Sequence, residues 1–272
     1  MPAKIHTTAI VHTDAIINDN VEIGPYTIIG AGVSIGSGTY VGPHCIIEFA
    51  KIGKNNTFTG SDFIGTPPQD FKYHGEPTSL EIGDGNIVRE GVSLHRGSPL
   101  TGLTRIGSNC MFMANSHIGH DGRVGNGIIM VNSAAAAGHV EIGDKAVISG
   151  LVGIHQFARI GELCMLSGGA MVTQDIAPYC KAQGDRAKLV GLNLVGMRRS
   201  GISRENMQSV KLAYKTLFLS HLPLREALLK LRASRLSPEA EKMVVFCENS
   251  KRGLSRARMA RKGSRTADEN DE

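Results

Sequence analysis

From Ile5 onward an apolar residue falls on every sixth position: Ile5, Val11, Ile17, Ile23, Ile29, Ile35, Val41 and Ile47. One residue is then dropped. The period resumes at Ile52, Phe58 and Ile64, returns at Ile82, Val88 and Leu94, and runs unbroken from Ile106 to Val172. All 26 positions of the series are apolar and 20 are Ile or Val, so the period marks one recurrent core position. An α-helix repeats at 3.6 residues and an amphipathic strand at 2, so neither produces it. A repeat of six with a β-branched residue at its fixed point is the pattern of a parallel β-helix, in which each unit is a short strand plus a corner. Glycine follows the apolar residue in many units ("IGPYTI", "IGAGVS", "IGSGTY"), where it relieves the tight turn. Three units close one triangular coil, so residues 18 apart stack at about 4.8 Å along the axis. Residues 5–176 are predicted to make nine to ten coils.

Two stretches interrupt the lattice, "TPPQDFKYHGEPTSL" (66–80) and "GSPLTGLT" (97–104). Their Pro and Gly punctuation predicts loops that leave the prism, and long loops on so stiff a scaffold are expected to bind something. The β-helix is expected over residues 1–180. Beyond "DIAPYC" the spacing changes. Met207, Val210, Tyr214 and Leu217 fall on one helical face with Ser203 as N-cap. "SHLPLREALLKL" and "SPEAEKMVVFCE" each carry Pro in a first turn, the second behind Ser237 as cap. Residues 181–255 are therefore predicted as a small α-helical domain, and 256–272, which lack an apolar period, as a disordered tail.

The net charge of +5 conceals an asymmetry. Residues 1–180 hold 10 basic and 15 acidic side chains, a balance of −5; residues 181–250 hold 13 and 6, a balance of +7; residues 251–272 hold 7 and 4, a balance of +3. The basic surplus suits an acidic protein or a nucleic acid. No run of 18 apolar residues occurs and the N-terminus lacks a signal-peptide pattern, so no membrane insertion is expected. Five cysteines without CxxC spacing read as reduced thiols of a cytoplasmic protein.

The lattice explains the crowding of ionisable residues in "NSHIGHDGRVG" (115–125). On the 18-residue rule Gly138 lies over His120, with Gln156 above it. His139 lies one residue after that column and His155 one before. Asp121 falls under His139 and beside His120, and His117 sits three residues back in the same coil. Histidines of successive coils therefore gather at one corner. Such a cluster can be surface decoration, as His6, His12 and His44 are read. It can also hold zinc, as three histidines do in the related gamma carbonic anhydrases, but that spacing (one His, then about 35 residues, then His-x4-His) is absent. Its third use is general base catalysis. A neutral imidazole takes a proton from a hydroxyl while a carboxylate orients it, and the open Gly138 N–H stabilises an oxyanion. No GxSxG elbow, P-loop or dinucleotide fingerprint is present, so direct attack of a substrate hydroxyl on an acyl donor fits best, without metal or cofactor.

The chain resembles the UDP-N-acetylglucosamine O-acyltransferases, which open lipid A biosynthesis. The resemblance runs from residue 3 to about 255 and rests on "PPQDFKYHGEPT", "SLHRGS", "SHIGHD", "AGHV", "GIHQF" and "NLVGMRRSGIS", in the family's order. It implies a left-handed β-helix, against the usual crossover rule, and a homotrimer with sites between subunits. It implies transfer of a 3-hydroxyacyl group from acyl carrier protein to the glucosamine 3-hydroxyl. His120 is then the general base, Asp121 its support and the Gly138 amide the oxyanion donor. His117, His139, His155 and Gln156 line the pocket; Gln69, Asp70 and Lys72 grip the substrate; Asn193 and Arg199 approach the nucleotide; Gly168 floors the acyl groove. Arg198, Arg199, Arg204 and Lys211 are candidate docking charges for the carrier. Two positions depart from the family: Arg186 stands in "QGDR" where a histidine is usual, and Val195 stands where a glutamate is known. An N-acyltransferase of the same fold acting on an amino sugar, and a non-catalytic scaffold, are the alternative readings.

Overall fold

The computed structural model describes residues 1–258. All 26 residues of the period-six series close a short strand, most of them only two residues long. The strands stack in three parallel sheets, here A, B and C, and the chain visits them in rotation. Above Ile106 the register advances by 18, as in Ile118 to Ala136 to Ile154 to Val172. The dropped residue shortens one coil to 17, with Ile35 beside Ile52. The two loops lengthen others, placing Leu94 30 residues beyond Ile64 but 24 before Ile118. The strands Ser79–Ile82 and Leu103–Ile106 pair over four residues and absorb the last two positions of each expected loop.

The recurrent apolar residues are almost wholly buried from Ile23 upward; Ile5, at the open first coil, is 46% exposed. Inside the prism, polar side chains cap the amides of the next coil: Thr39 accepts from Asn56 N (3.2 Å), Asn56 from Asn86 N (2.9 Å) and Asn86 from Cys110 N (2.8 Å). Buried amides must be paired, and these side chains do it where the register shifts. Cys45, Cys110 and Cys164 face inward as small core residues.

Residues 181–192 differ from the helical expectation. Strands Cys180–Gln183 and Lys188–Leu192 form an antiparallel hairpin that extends sheet A, with Arg186 at its turn in a positive-φ conformation. Leu192 and Ala182 supply apolar faces that close the top of the coil, which a reading of the segment's charges conceals. Helices follow: α1 (Leu194–Arg199), α2 (Arg204–Tyr214), a π-helical turn over Lys215–Leu219, α3 (Leu224–Arg232) and α4 (Pro238–Glu248). Ser203 and Ser237 cap α2 and α4 as read from the sequence, accepting from Asn206 N and Ala240 N. Of the expected tail, Arg256 to Arg258 bridge back to Leu189 and are ordered by it. The rest of the tail lies outside the described residues.

Candidate active site

Corner BC, where the chain passes from sheet B to sheet C, collects the ionisable residues. Asp121, His139 and Phe157 occupy equivalent corner positions on three coils, each with φ near +60°. That conformation swings each side chain back over its neighbour, and Asp and His tolerate it better than most residues. His120 Nδ1 lies 2.7 Å from Asp121 Oδ2. A carboxylate only accepts, so Nδ1 carries the proton and Nε2 presents a lone pair outward. His139 Nε2 lies 3.5 Å from the same oxygen. The His139 ring stands edge-on to His120 at 5.1 Å and stacks on Phe157 at 4.5 Å.

Asp121 is fixed from below. Both its oxygens accept from Ser98 N, at 3.0 and 3.1 Å, and Oδ1 also from Thr101 Oγ1. Its own amide donates to Thr104 Oγ1 at 2.7 Å. Burial pushes its carboxyl up, but the hydrogen bonds from Ser98, Thr101 and His120 outweigh it and hold the group below its ordinary value. Asp121 is therefore an ionised, immobile carboxylate.

Gly138 lies over His120 as the 18-residue rule requires. A Cβ there would sit 2.6 Å from both Cε1 and Nε2 of the imidazole, so only glycine leaves the ring its place. Among the described residues the Gly138 amide has no acceptor. The corner amides of His120 and Gln156 share that freedom, but only Gly138 among the three carries no side chain of its own beside its N–H.

His117 projects outward from sheet B, its Nδ1 2.8 Å from Ser93 Oγ, and burial followed by the His120 charge lowers its pKa. Burial likewise lowers that of His139, against the pull of Asp121 and Asp70. The Asp70 charge, from the first loop of the same chain, is among those acting on His139. Asp70 is half-buried and Gln69 and Lys72 are exposed. His155 is exposed two coils above, accepting from Arg252 Nη2 at 2.7 Å, and Gln156 is half-buried over Gly138.

Sequence reasoning missed several members. His95 lies beneath Gly119, edge-on to His117 at 5.0 Å, with its Nδ1 buried and unpartnered. Burial, then the charges of His117, His120 and Arg96, lower its pKa to about 4. Ser98, Thr101, Phe157 and Arg252 were not singled out either. His95 was legible as part of "SLHRGS", the others only as loop or corner residues.

His120, Asp121 and His139 offer ligand atoms within 4.8 Å of one another. Zinc bonds of about 2.0–2.1 Å hold tetrahedral ligands about 3.3 Å apart. The 2.7 Å contact of His120 with Asp121 is a hydrogen bond, and three donors, Ser98 N to both oxygens, Thr101 and His120, already occupy the carboxylate. The set suits a proton-handling pair better than a metal.

A family model described as UDP N-acetylglucosamine O-acyltransferase, domain 2, matches residues 175–255, and one described as bacterial transferase hexapeptide (six repeats) matches 14–49. An acyl-[acyl-carrier-protein]–UDP-N-acetylglucosamine O-acyltransferase of Myxococcus xanthus is 51% identical over 207 residues, 75% of this chain and 80% of that one. The chain belongs to the UDP-N-acetylglucosamine O-acyltransferase family. The solved UDP-N-acetylglucosamine O-acyltransferase of Moraxella catarrhalis superposes with a TM-score of 0.90 at 42% identity, covering 93% of this chain and 99% of that one. The corresponding Arabidopsis acyltransferase gives 0.83 at 33%, covering 93% and 100%. The protein is an acyltransferase of this family, built on the left-handed β-helix.

Within one chain the remaining candidates lie away from His120. Gly168 is exposed at corner AB, in the column of Asn132 and Gly150. Asn193 is the N-cap of α1: its Oδ1 accepts from Gly196 N at 3.0 Å and its Nδ2 donates to Leu163 O at 2.9 Å. One N–H and one acceptor site of its amide are thus used within the chain, and Leu163 stands at corner CA. Arg198 and Arg199 end α1 and Arg204 opens α2, all three exposed, with Lys211 half-buried. Among the described residues none of the four joins an ion pair.

Proposed function

We propose that this acyltransferase moves a (3R)-3-hydroxyacyl group from acyl carrier protein to the 3-hydroxyl of UDP-N-acetylglucosamine, the first step of lipid A biosynthesis, with His120 as general base. The reading rests on the His120–Asp121 pair under a Gly138 amide that has no acceptor among the described residues. His120 Nε2 takes the proton of the sugar hydroxyl as its oxygen attacks the thioester carbonyl. The Gly138 N–H donates to the tetrahedral oxyanion. Collapse breaks the carbon–sulfur bond, and the departing thiolate recovers the proton from His120. Asp121, kept ionised, stabilises the imidazolium between the two transfers.

No acyl-enzyme is needed. All five cysteines are buried, and burial pushes Cys45, Cys164 and Cys247 up to about 12, far from the thiolate a nucleophile requires. Ser93 is paired with His117, but among the described residues no carboxylate bonds that imidazole. Gln69, Asp70, Lys72, His117, His139, His155 and Gln156 bind substrate in this reading, and Asn193 and Arg199 approach the nucleotide from a neighbouring subunit.

The same reading makes the chain a cytoplasmic homotrimer. The outward residues of sheet B begin Ile10, Ile28, Ile46, Phe63, and those of sheet A, after Lys4, Glu22, Tyr40 and Thr57, run Ile87, Met111, Ile129, Val147, Met165. Sheet C presents Lys51, Glu81, Arg105, Arg123, Glu141 and Arg159. A head-to-tail threefold ring sets one apolar face against the next and leaves the charged face to water. Among the described residues no helix is long and apolar enough to cross a membrane.

The test is acyl transfer from carrier-bound donors to UDP-N-acetylglucosamine and its 3-amino analogue, with folded His120→Ala beside wild type. Loss of turnover by about 10²–10⁴ identifies the base. Preference for the amine would make the enzyme an N-acyltransferase. Labelled acyl chain retained on the protein without acceptor would replace direct transfer, and loss of activity with EDTA would bring back a metal.

A further inference from the structure

Arg96 is a buried cation that the proposed chemistry does not use. It is 6% exposed although it immediately precedes the second loop. Its Nη1 donates to Gly65 O at 2.8 Å, where the first loop leaves the prism, and lies 3.3 Å from Glu48 Oε2. Its Nη2 and Nε donate to Tyr73 Oη at 2.9 and 3.3 Å, and Tyr73 in turn donates to Glu76 O at 3.0 Å. The guanidinium lies over the Phe49 ring at 4.5 Å and the Tyr73 ring at 5.6 Å. Its backbone amide donates to Thr66 O at 3.2 Å. One side chain thus binds the exit of the first loop, the tip-side residue Tyr73 and the coil beneath.

The backbone carries the connection onward. Gly97 N donates to Ser79 O at 3.1 Å, closing the first loop's return, and Ser98 N holds Asp121. Gly97 has no room for a side chain, since a Cβ would meet Leu103 N at 2.1 Å. A shift of Arg96 therefore has no slack before it reaches Ser98.

We propose that Arg96 and Tyr73 form a latch that sets the first loop against the active-site corner and ties its position to the Asp121–His120 pair. Both are positioning residues: Tyr73 holds Asp70 and Lys72 where they meet the nucleotide sugar, and Arg96 does so while also fixing the segment that grips Asp121. The inference rests on the reading of Asp70 and Lys72 as substrate residues. A guanidinium suits this node because its planar fork serves several acceptors while stacking on rings, which an ammonium does not.

The experiment compares Tyr73→Phe, Arg96→Lys, the double variant and Lys72→Ala, each as the full chain. Tyr73→Phe loses only a hydroxyl, but with it both bonds from Arg96 and the bond to Glu76 O, and net losses of this kind correspond to roughly a tenfold effect or more. Its KM for UDP-N-acetylglucosamine should rise about that much with kcat and its pH profile unchanged. Arg96→Lys should raise KM and lower kcat together. The double variant should be no worse in KM than Arg96→Lys, since the two residues act through the same pair of bonds. Lys72 is the only tryptic site between Lys54 and Arg89, so trypsin should cut there faster in Tyr73→Phe, with the melting temperature unchanged. Wild-type KM and cleavage rate in Tyr73→Phe, when Lys72→Ala raises KM, would overturn the latch alone. An unchanged KM in Lys72→Ala would overturn the substrate reading of the loop and the latch with it.

Discussion

Asp121 turns back on its own chain neighbour: with φ at +58° its Oδ2 accepts from His120 Nδ1 at 2.7 Å across a single peptide bond. Adjacent residues of a strand point to opposite faces, so this pairing exists only because the corner reverses the backbone. The pair is stiff, and its stiffness comes from the second loop through Ser98 and Thr101.

Asp121→Asn keeps the shape and removes the charge. The imidazolium formed during transfer then loses its counter-charge, and the amide need not hold the Nδ1–H tautomer. Turnover should fall on the order of 10² or more with KM little changed. Because Asp121 stays ionised below its ordinary range, the acid limb of the wild-type pH–rate profile should not follow it. A wild-type kcat in a folded Asp121→Asn protein, measured at saturating substrates, removes the carboxylate from the mechanism.

Gly138→Ala tests the ceiling over the base. The added methyl would overlap the imidazole at 2.6 Å, displacing His120 Nε2 from the acceptor hydroxyl. Turnover should collapse while the β-helix keeps its circular dichroism and melting behaviour. Gly168→Ala, assayed with a ten-carbon donor, is the control, since a Cβ there meets only Gly150 O at 3.5 Å. Equal activity of both variants would mean that the column is not a tight fit.

How far such residues were legible depends on where the lattice rule holds. The period of six placed every strand up to Val172, and above Ile106 the step of 18 placed Gly138 over His120 and His139 over Asp121. Below it the step becomes 24 or 30, so arithmetic from His120 does not arrive at His95 or Arg96. Ser98 and Thr101 reach Asp121 by a loop path that no repeat encodes. The hairpin over Cys180–Leu192 was hidden because a two-stranded cap needs only a few inward residues, and its charged outer positions resemble a helix surface.

His95 makes stability depend on pH. It remains neutral in the fold down to about pH 4, whereas the unfolded chain takes up a proton near 6.5. Its folded pKa is depressed, so its stabilising contribution is present above 6.5 and is lost as pH falls from 6.5 toward 4. The full window is worth about 3 kcal/mol. Asp62 acts oppositely: burial raises it to about 7, so its contribution is lost as pH rises from about 3.8 through 7. Urea midpoints of wild type and His95→Leu at pH 7 and pH 5 separate them. The variant should lose less on acidification, and parallel shifts would refute the assignment.

The carrier should dock through charges that the fold leaves uncommitted. Arg232 is bound by Glu241 and Glu248, but Arg198, Arg204 and Lys211 have no ion pair among the described residues. Exposed charges are screened beyond about 8 Å at physiological ionic strength. KM for the acyl carrier protein donor should therefore climb with salt faster than KM for the UDP-sugar, and Arg204→Glu should raise the former alone. Equal salt slopes for the two substrates would argue against a basic docking face.

Acyl length should be read at Gly168. In the proposed trimer, corner AB faces a neighbouring subunit, and the column Asn132, Gly150, Gly168 climbs away from the coil of His120 between the apolar positions Met165 and Met171. Gly168 itself is exposed in the single chain, and a Cβ there makes only an ordinary contact, so a side chain projects into whatever space the corner bounds. If that space is the acyl groove, its absence leaves room for a longer chain, of around fourteen carbons. Gly168→Met would fill it, and forcing extra atoms into an occupied wall costs about 1–3 kcal/mol, or roughly 5- to 150-fold against the long donor. The variant should keep wild-type turnover with a ten-carbon donor and lose it progressively toward sixteen. The Cβ of the new side chain fits the corner without a clash, so a melting temperature near wild type is expected to accompany the changed profile. An identical length profile for wild type and Gly168→Met would show that the glycine only eases a corner.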